Sequence, residues 1–197
     1  MKIIHDKIFD INEKLEVQQH PNGMLIVDNL YKDIDQINDY VCNIPFLLKE
    51  SRILRTANYT FDWPMYQLST ILSEIVSKKV EIHLDVYWVS VKSKTKVKAY
   101  TPTFAINENT NRVTIFLNET EGTDFMCFKK SGLYSSDEKF GIYYYEQVVR
   151  DKIWEDQWDE PIRIKGKKNR MLIYPSTMFA FPNLDIESDR YTQEYVI

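Results

Sequence analysis

The segment Phe104–Phe128, FAINENTNRVTIFLNETEGTDFMCF, constrains the fold of this chain more than any other. Between Arg112 and Leu117 the residues alternate in character, with Val113, Ile115 and Leu117 at every second position. Side chains two residues apart point to the same face of a strand, so this pattern predicts a strand with one face buried in a core. A chain with such a strand near its centre is expected to fold around a β-sheet.

A turn and a second strand are predicted to follow directly. Asn118–Gly122 is rich in turn-forming residues, and Gly122 is the residue free to adopt a positive φ. Thr123–Phe128 is again aromatic and alternating, which is typical of a strand. The whole segment therefore predicts an antiparallel β-hairpin.

The composition predicts one domain spanning residues 1–197. Apolar residues make up 44% of the chain and aromatic residues 14%, which suits a packed, β-rich core. A net charge of −4 disfavours a nucleic-acid partner, which would require a basic face. No apolar run approaches the roughly 20 residues that a membrane span needs, and the charged N-terminus is unlike a signal peptide. Cys42 and Cys127 are predicted to be small buried side chains without a disulfide.

The rest of the chain predicts helices before the hairpin and strands on both sides of it. Lys32–Asn43 and Pro64–Lys78 carry apolar residues at helical spacing, and Asp62 is a candidate N-cap for the second helix. Phe46–Phe61 predicts an irregular connection. The segments that predict strands are Met24–Val27, Val80–Val91, Ile162–Ile164, Met171–Tyr174 and Tyr191–Ile197.

Three segments resemble a known family when they are taken in order. They are RVTIFLNETEGTDFMCF of the hairpin, NRMLIYPSTMFA at 169–180, and DRYTQEYVI at 189–197. Together they resemble the 2-oxoglutarate/Fe(II) oxygenase superfamily, in the branch with a prolyl-hydroxylase-like double-stranded β-helix. The resemblance covers 80–197. It implies an α+β, β-rich fold, a jelly roll with N-terminal helices packed on one sheet.

The same resemblance locates the family's site residues on this sequence. It implies that Arg190 grips the carboxylate of 2-oxoglutarate and that Asn107 and Tyr174 line the pocket. The family binds iron through two histidines and one carboxylate on one face of the metal. The position of the distal histidine is occupied by Ala180, and the segment at the H-x-D position, Tyr100–Asn107, contains neither histidine nor aspartate.

The histidine count is independent of any alignment. The chain has three histidines, His5, His20 and His83, and none follows residue 83. A distal histidine on a C-terminal strand is therefore excluded. His83 and Asp85 do form an H-x-D sequence, but it lies upstream of the expected loop, and we interpret it as an incidental pair on one strand face.

Three functional hypotheses follow. The first is a non-catalytic oxygenase-fold protein that acts as an interaction or structural component and has no cofactor. The second is an active hydroxylase that binds Fe(II) and 2-oxoglutarate through displaced ligands, such as His83 and Asp85 with Glu108. It requires either a site with one histidine or a second histidine from the N-terminal segment. The third is a module that binds a small anion through Arg190, with Tyr100, Tyr174 or Asn107 lining the pocket. The alternative for Arg190 is a structural ion pair with Asp189, Glu194 or an acid on the adjacent strand.

The first hypothesis predicts protein partners, in a large assembly or a homo-oligomer. Few glycines and many Lys, Asn, Ile and Tyr residues suggest an A+T-rich genome, and similar oxygenase-like proteins occur in bacteria and large tailed phages. We therefore expect a location in the cytoplasm or in a virion. An insertion atypical of the family, around 130–168, is rich in aromatic residues, which are common in interface hot spots. Either a partner or the protein's own core is expected to cover Tyr143, Tyr144, Tyr145, Trp154 and Trp158.

Overall fold

A computed structural model describes residues 6–42, 46–50, 53–56, 62–82, 88–92, 109–129, 132, 135, 158–159, 161–182 and 190–197. A 3₁₀ helix covers Asp6–Phe9, and the α-helices are α1 (Ile34–Cys42) and α2 (Asp62–Ile75). The strands are β1 (Glu16–Gln19), β2 (Leu25–Asp28), β3 (Phe46–Glu50), β4 (Ile53–Thr56), β5 (Trp88–Lys92), β6 (Asn111–Phe116), β7 (Thr120–Phe125), β8 (Ile162–Gly166), β9 (Arg170–Pro175), β10 (Ala180–Pro182) and β11 (Tyr191–Val196).

These strands form two antiparallel sheets. The large sheet has the order β1-β2-β9-β6-β11-β5-β4-β3, and the small sheet has the order β10-β7-β8. The last strand, β11, lies between β5 and β6, so the C-terminal segment joins the middle of the large sheet. Consecutive strands β6 and β7 belong to different sheets, which makes the chain pass back and forth between two layers, as in a jelly roll. The predicted fold class is confirmed.

The helices cover one face of the large sheet. Ile37 and Val41 of α1 and Leu68 and Leu72 of α2 are buried in the same cluster as Ile115 of β6. In each helix the two residues are four positions apart, so they lie on one face. Helix α1 begins after Asp33, whose carboxylate accepts hydrogen bonds from the backbone N–H (3.0 Å) and the side-chain amide (2.6 Å) of Gln36. The prediction of helices packed on one sheet is confirmed.

The predicted antiparallel hairpin is wrong: both strands form, but β6 pairs with β9 and β11 while β7 pairs with β8 and β10, so the two lie in different sheets. The connection between them is also shorter than predicted. Strand β7 starts at Thr120, whereas the sequence predicted a turn as far as Gly122. Gly122 does have a positive φ of 88°, as expected, but it lies in the strand. The register with β8 shifts between Thr120 and Thr123, so the glycine is part of a β-bulge.

Two other predictions of secondary structure were wrong. Phe46–Phe61, predicted to be irregular, contains β3 and β4, which pair antiparallel at the end of the large sheet. The long strand predicted for Val80–Val91 is not continuous, since 80–82 have no regular structure and β5 begins at Trp88.

The C-terminal end of the predicted insertion belongs to the sheet core. Strand β8 lies inside 130–168 and pairs with β7. In the described part of the chain, no helix is both long enough and apolar enough to cross a membrane. Cys127 is buried and free, as predicted.

Candidate functional site

The candidate site lies between the two sheets, beside Arg190, the residue that the family resemblance assigns to the carboxylate of 2-oxoglutarate. The side chains that fill this space come from both layers, and we call them the interior cluster. Its members are Met24, Phe116, Phe125, Ile164, Leu172, Tyr174, Met178 and Ala180. Their close packing is illustrated by Phe125 and Tyr174, whose rings meet edge-on with centroids 5.0 Å apart.

Arg190 occupies one end of this space, immediately before β11. Its Nη1 donates a hydrogen bond to the carbonyl oxygen of Gly122 (2.5 Å), and its Nη2 donates one to Oγ1 of Thr123 (3.3 Å). The guanidinium carbon lies 5.1 Å from the centre of the Phe116 ring, in a cation–π contact. Burial lowers the pKa of Arg190, while the Glu194 carboxylate acts to raise it. The hydrogen bonds of Arg190 therefore link the start of β11 to the bulge of β7.

Tyr174 lies at the other end of the space, on β9. Burial, assisted by the charge of Glu194, raises the pKa of the Tyr174 phenol to about 12, although Arg112, Thr114 and Arg190 act in the opposite direction. The phenol is therefore neutral at physiological pH. A neutral phenol keeps its proton and can donate a hydrogen bond.

Arg112 stands beside Tyr174, since the two residues are directly paired across β6 and β9. The sequence alone indicates only a polar position of an alternating strand for this residue. Its Nε is buried, and no hydrogen-bond partner for this atom is found among the described residues. The alternation of β6 puts Arg112 on the same face as Thr114 and Phe116, which is the face toward the interior cluster.

The described residues do not provide the iron site that the fold family implies. Ala180, at the predicted position of the distal histidine, is 1% exposed and belongs to the interior cluster, so a methyl group packs where an imidazole would bind a metal. Within the described ranges, no three His, Cys, Asp or Glu side chains come close enough together to bind one metal ion. His20 lies in the connection between β1 and β2, where β1 is an edge strand.

Several predicted residues lie outside the described part of the chain. They are the candidate ligands His83, Asp85 and Glu108, the pocket residues Tyr100 and Asn107, the candidate ion-pair partner Asp189, and the interaction candidates Tyr143, Tyr144, Tyr145 and Trp154. Their proposed roles stay predictions.

Trp158 is described, and it packs on its own chain. It makes edge-on contacts with Phe128, Phe179 and Phe181, with ring centroids 5.2–5.3 Å apart. We call these four residues the outer aromatic cluster; the indole residue is 7% exposed. This placement corresponds to the second alternative that the sequence left open, in which the protein's own core covers the aromatic residue.

Comparisons with known proteins add a structural likeness. No family model and no curated protein sequence matches this chain. Among solved structures, HygX from Streptomyces hygroscopicus with nickel and 2-oxoglutarate bound is similar with a TM-score of 0.54 and 10% identity, covering 89% of this chain and 82% of that one. SnoK, a non-heme alpha ketoglutarate dependent carbocyclase from nogalamycin biosynthesis, is similar with a TM-score of 0.52 and 9% identity. The match covers 89% of this chain and 79% of that one.

The chain has the fold of the 2-oxoglutarate/Fe(II)-dependent oxygenases. The likeness extends over most of this chain and of each matched structure, so it concerns the whole architecture. At this low identity it establishes the fold alone, because one scaffold can host many functions.

Proposed function

We propose that this protein is a non-catalytic member of the oxygenase fold that acts as an interaction or structural component. The observation that carries the proposal is the burial of Ala180 among apolar side chains at the position of the distal histidine. Because no histidine follows residue 83, no shift of register on β9, β10 or β11 can supply the missing ligand.

The contacts of Arg190 support the same proposal. In an oxygenase, the resemblance implies, this arginine would hold the cofactor's carboxylate. Here two of its N–H groups bind Gly122 and Thr123 of the same chain, and its charge lies on the Phe116 ring. Its proposed role is to connect β11 with β7 and so to stabilise the folded protein.

The proposed partners are other proteins, in a homo-oligomer or a large assembly such as a phage virion. The proposed location is the cytoplasm or the virion itself. A folded scaffold without its chemistry still offers surfaces for docking, and the predicted aromatic segment at 143–154 is the proposed contact region. Mass spectrometry of the proteins that copurify with the native protein, or of a purified particle that contains it, tests this part.

The non-catalytic part is tested by adding Fe(II) and 2-oxoglutarate to metal-free protein without oxygen. We expect no charge-transfer absorption band from an iron–oxoglutarate complex. After oxygen is admitted, succinate is expected not to exceed the protein-free blank. HygX, whose solved structure holds nickel and 2-oxoglutarate, is a suitable positive control.

A charge-transfer band that saturates at one iron per chain would contradict the proposal. Succinate formation that depends on the protein would contradict it as well. In that case the variants His83→Ala and Asp85→Ala would identify displaced ligands, because a band carried by them is lost when either is removed.

A further inference from the structure

Strand β1 forms one edge of the large sheet, and its outer side pairs with no other strand among the described residues. All four of its residues, Glu16–Gln19, are exposed. Val17 is 48% exposed and is, with Tyr66, one of two large apolar side chains that stay exposed in the described ranges. A free strand edge can pair with another chain, and proteins often guard such edges with lysine or proline. The sequence EVQQ of β1 contains neither, so this edge is open to a partner strand.

The register of β1 with β2 identifies the backbone groups that face outward. The N–H of His20 donates to the carbonyl oxygen of Met24 at 2.8 Å. In an antiparallel pair, hydrogen-bonded residues alternate with residues that make no bond to the same neighbour. Residues 16 and 18 therefore bond to β2, whereas Val17 and Gln19 direct their N–H and C=O groups away from it. These outward groups can form a ladder with a second strand.

This edge is complementary to itself. When two copies of β1 pair antiparallel about a two-fold axis at Gln18, Val17 of each copy lies opposite Gln19 of the other. Every outward N–H and C=O of the two strands then has a hydrogen-bond partner. The same alignment places Gln18 opposite its own copy and Glu16 opposite His20. Between residues 16 and 20, no two like charges are directly opposite, an arrangement that would disfavour pairing.

Glu16 and His20 are suited to contact each other across this axis. They share a face of the strand with Gln18, because alternate residues point to the same side. The Nδ1 of His20 accepts a hydrogen bond from the backbone N–H of Asn22 at 3.5 Å. A neutral imidazole then carries its proton on Nε2, where it can be donated to a carboxylate. Glu16 accepts one hydrogen bond, from Asn29 at 3.3 Å, and a carboxylate can accept more.

We propose that the protein forms a symmetric dimer in which β1 of one copy pairs antiparallel with β1 of a second copy. The two eight-stranded sheets then become one continuous sheet, closed by a two-fold axis. This inference names a partner for the interaction role proposed above and rests on that role. Since only one short strand of each copy takes part, the interface is small, and the dimer is expected to dissociate on dilution.

The first test measures molar mass by sedimentation equilibrium over a range of protein concentrations. The mass is expected to rise with concentration toward twice the 23.5 kDa of one chain. Gln18→Glu places two carboxylates opposite each other beside Glu16, so it is expected to weaken the dimer about fivefold or more. Thr70→Glu adds the same charge at an exposed position of α2 and is the control, which should dimerise like the wild type.

The second test introduces cysteines that report the register. In the proposed pairing Gln18 faces its copy at a position without hydrogen bonds, where the two Cα atoms are about 4.5 Å apart, within reach of a disulfide. Gln18→Cys is therefore expected to give a disulfide-linked dimer on a non-reducing gel after mild oxidation. In Gln19→Cys the two cysteines are about 8 Å apart, too far to be linked. Wild-type protein, with Cys42 and Cys127, is the blank.

Either a mass of one chain at every concentration or the absence of a linked Gln18→Cys dimer would overturn the proposal. A dimer that Gln18→Glu does not weaken, or equal cross-linking of Gln18→Cys and Gln19→Cys, would overturn it as well. A mass that grows beyond two chains would also do so, because it would indicate head-to-tail pairing of β1 with β3, the other edge of the sheet.

The dimer and the loss of iron chemistry fail separately. A monomer that gives no iron–oxoglutarate band overturns the dimer alone. A dimer that forms succinate from 2-oxoglutarate contradicts the proposed loss of catalysis and leaves the pairing of β1 intact.

Discussion

At the scale of single residues, a buried ion pair between Asp28 and Arg170 has a structural role. Asp28, at the end of β2, is buried and accepts two hydrogen bonds from Arg170, at 2.7 and 2.9 Å, with Lys167 at 3.5 Å. The hydrogen bond from Arg170 is the main reason that the pKa of Asp28 is lowered, and it outweighs the effect of burial. These contacts cannot be predicted from the local sequence. Asp28 and Arg170 are separated by 142 positions and meet only because β2 pairs with β9.

We predict that Asp28→Asn lowers the free energy of unfolding by about 2 kcal/mol near neutral pH, because Arg170 loses a charged acceptor. The folded-state pKa lies below the unfolded value, so the stabilisation by the carboxylate is complete above about pH 4 and is lost as the pH falls through the folded-state pKa. Urea denaturation of both proteins over this range should show the difference shrinking in acid. Glu13→Gln, at the exposed ion pair with Lys32, is the control and should change stability by about 0.5 kcal/mol or less. A difference in the free energy of unfolding between wild type and Asp28→Asn that does not change with pH would contradict this account.

At the scale of elements, the bulge of β7 explains why the turn was misplaced. A glycine that follows polar residues predicts a turn, but Gly122 uses its positive φ inside a strand, where the backbone of β8 lies against it. A Cβ on Gly122 would lie 1.9 Å from the carbonyl oxygen of Ile164. Close approach between two backbones cannot be predicted from one segment, because it depends on which strand becomes the neighbour.

Gly122→Ala is therefore predicted to lower the free energy of unfolding by about 3 kcal/mol or more, through steric overlap added to backbone strain. The matched control is Gly23→Ala, since Gly23 has a similar φ of 78° but no atom within 4 Å of the added Cβ. Its cost should be about 1 kcal/mol, from the backbone alone. Equal losses for the two variants in denaturant unfolding would show that the bulge is not tightly packed.

The outer aromatic cluster provides a second test among the elements. Trp158→Ala should lower the free energy of unfolding by about 3–5 kcal/mol, because it removes a ring that packs on Phe128, Phe179 and Phe181. Chemical denaturation measures this loss. If stability were unchanged while a copurifying protein was lost, Trp158 would have to be a contact residue and not part of the core.

At the scale of the whole molecule, the periodicity of apolar residues and the order of the family-like segments were sufficient to predict the fold class. They predicted only part of the site. The alternation in β6 and the three family-like segments led to two sheets with helices on one of them, because a buried face must be covered. The missing distal histidine was visible in the sequence as well. The Nε of Arg112, which has no partner among the described residues, was not visible, because its surroundings depend on β9 and β11 pairing with β6. Strands β3 and β4 were missed because no glycine or proline marks a turn within 46–56.

The proposal that the iron site has been lost is tested most directly by a crystal structure of the protein grown with Mn(II) and 2-oxoglutarate. We predict no anomalous scattering peak between the sheets beside Ala180, and an Arg190 that still donates to Gly122 and Thr123. An anomalous peak at that position, bound by three side chains and by 2-oxoglutarate held on Arg190, would contradict the account.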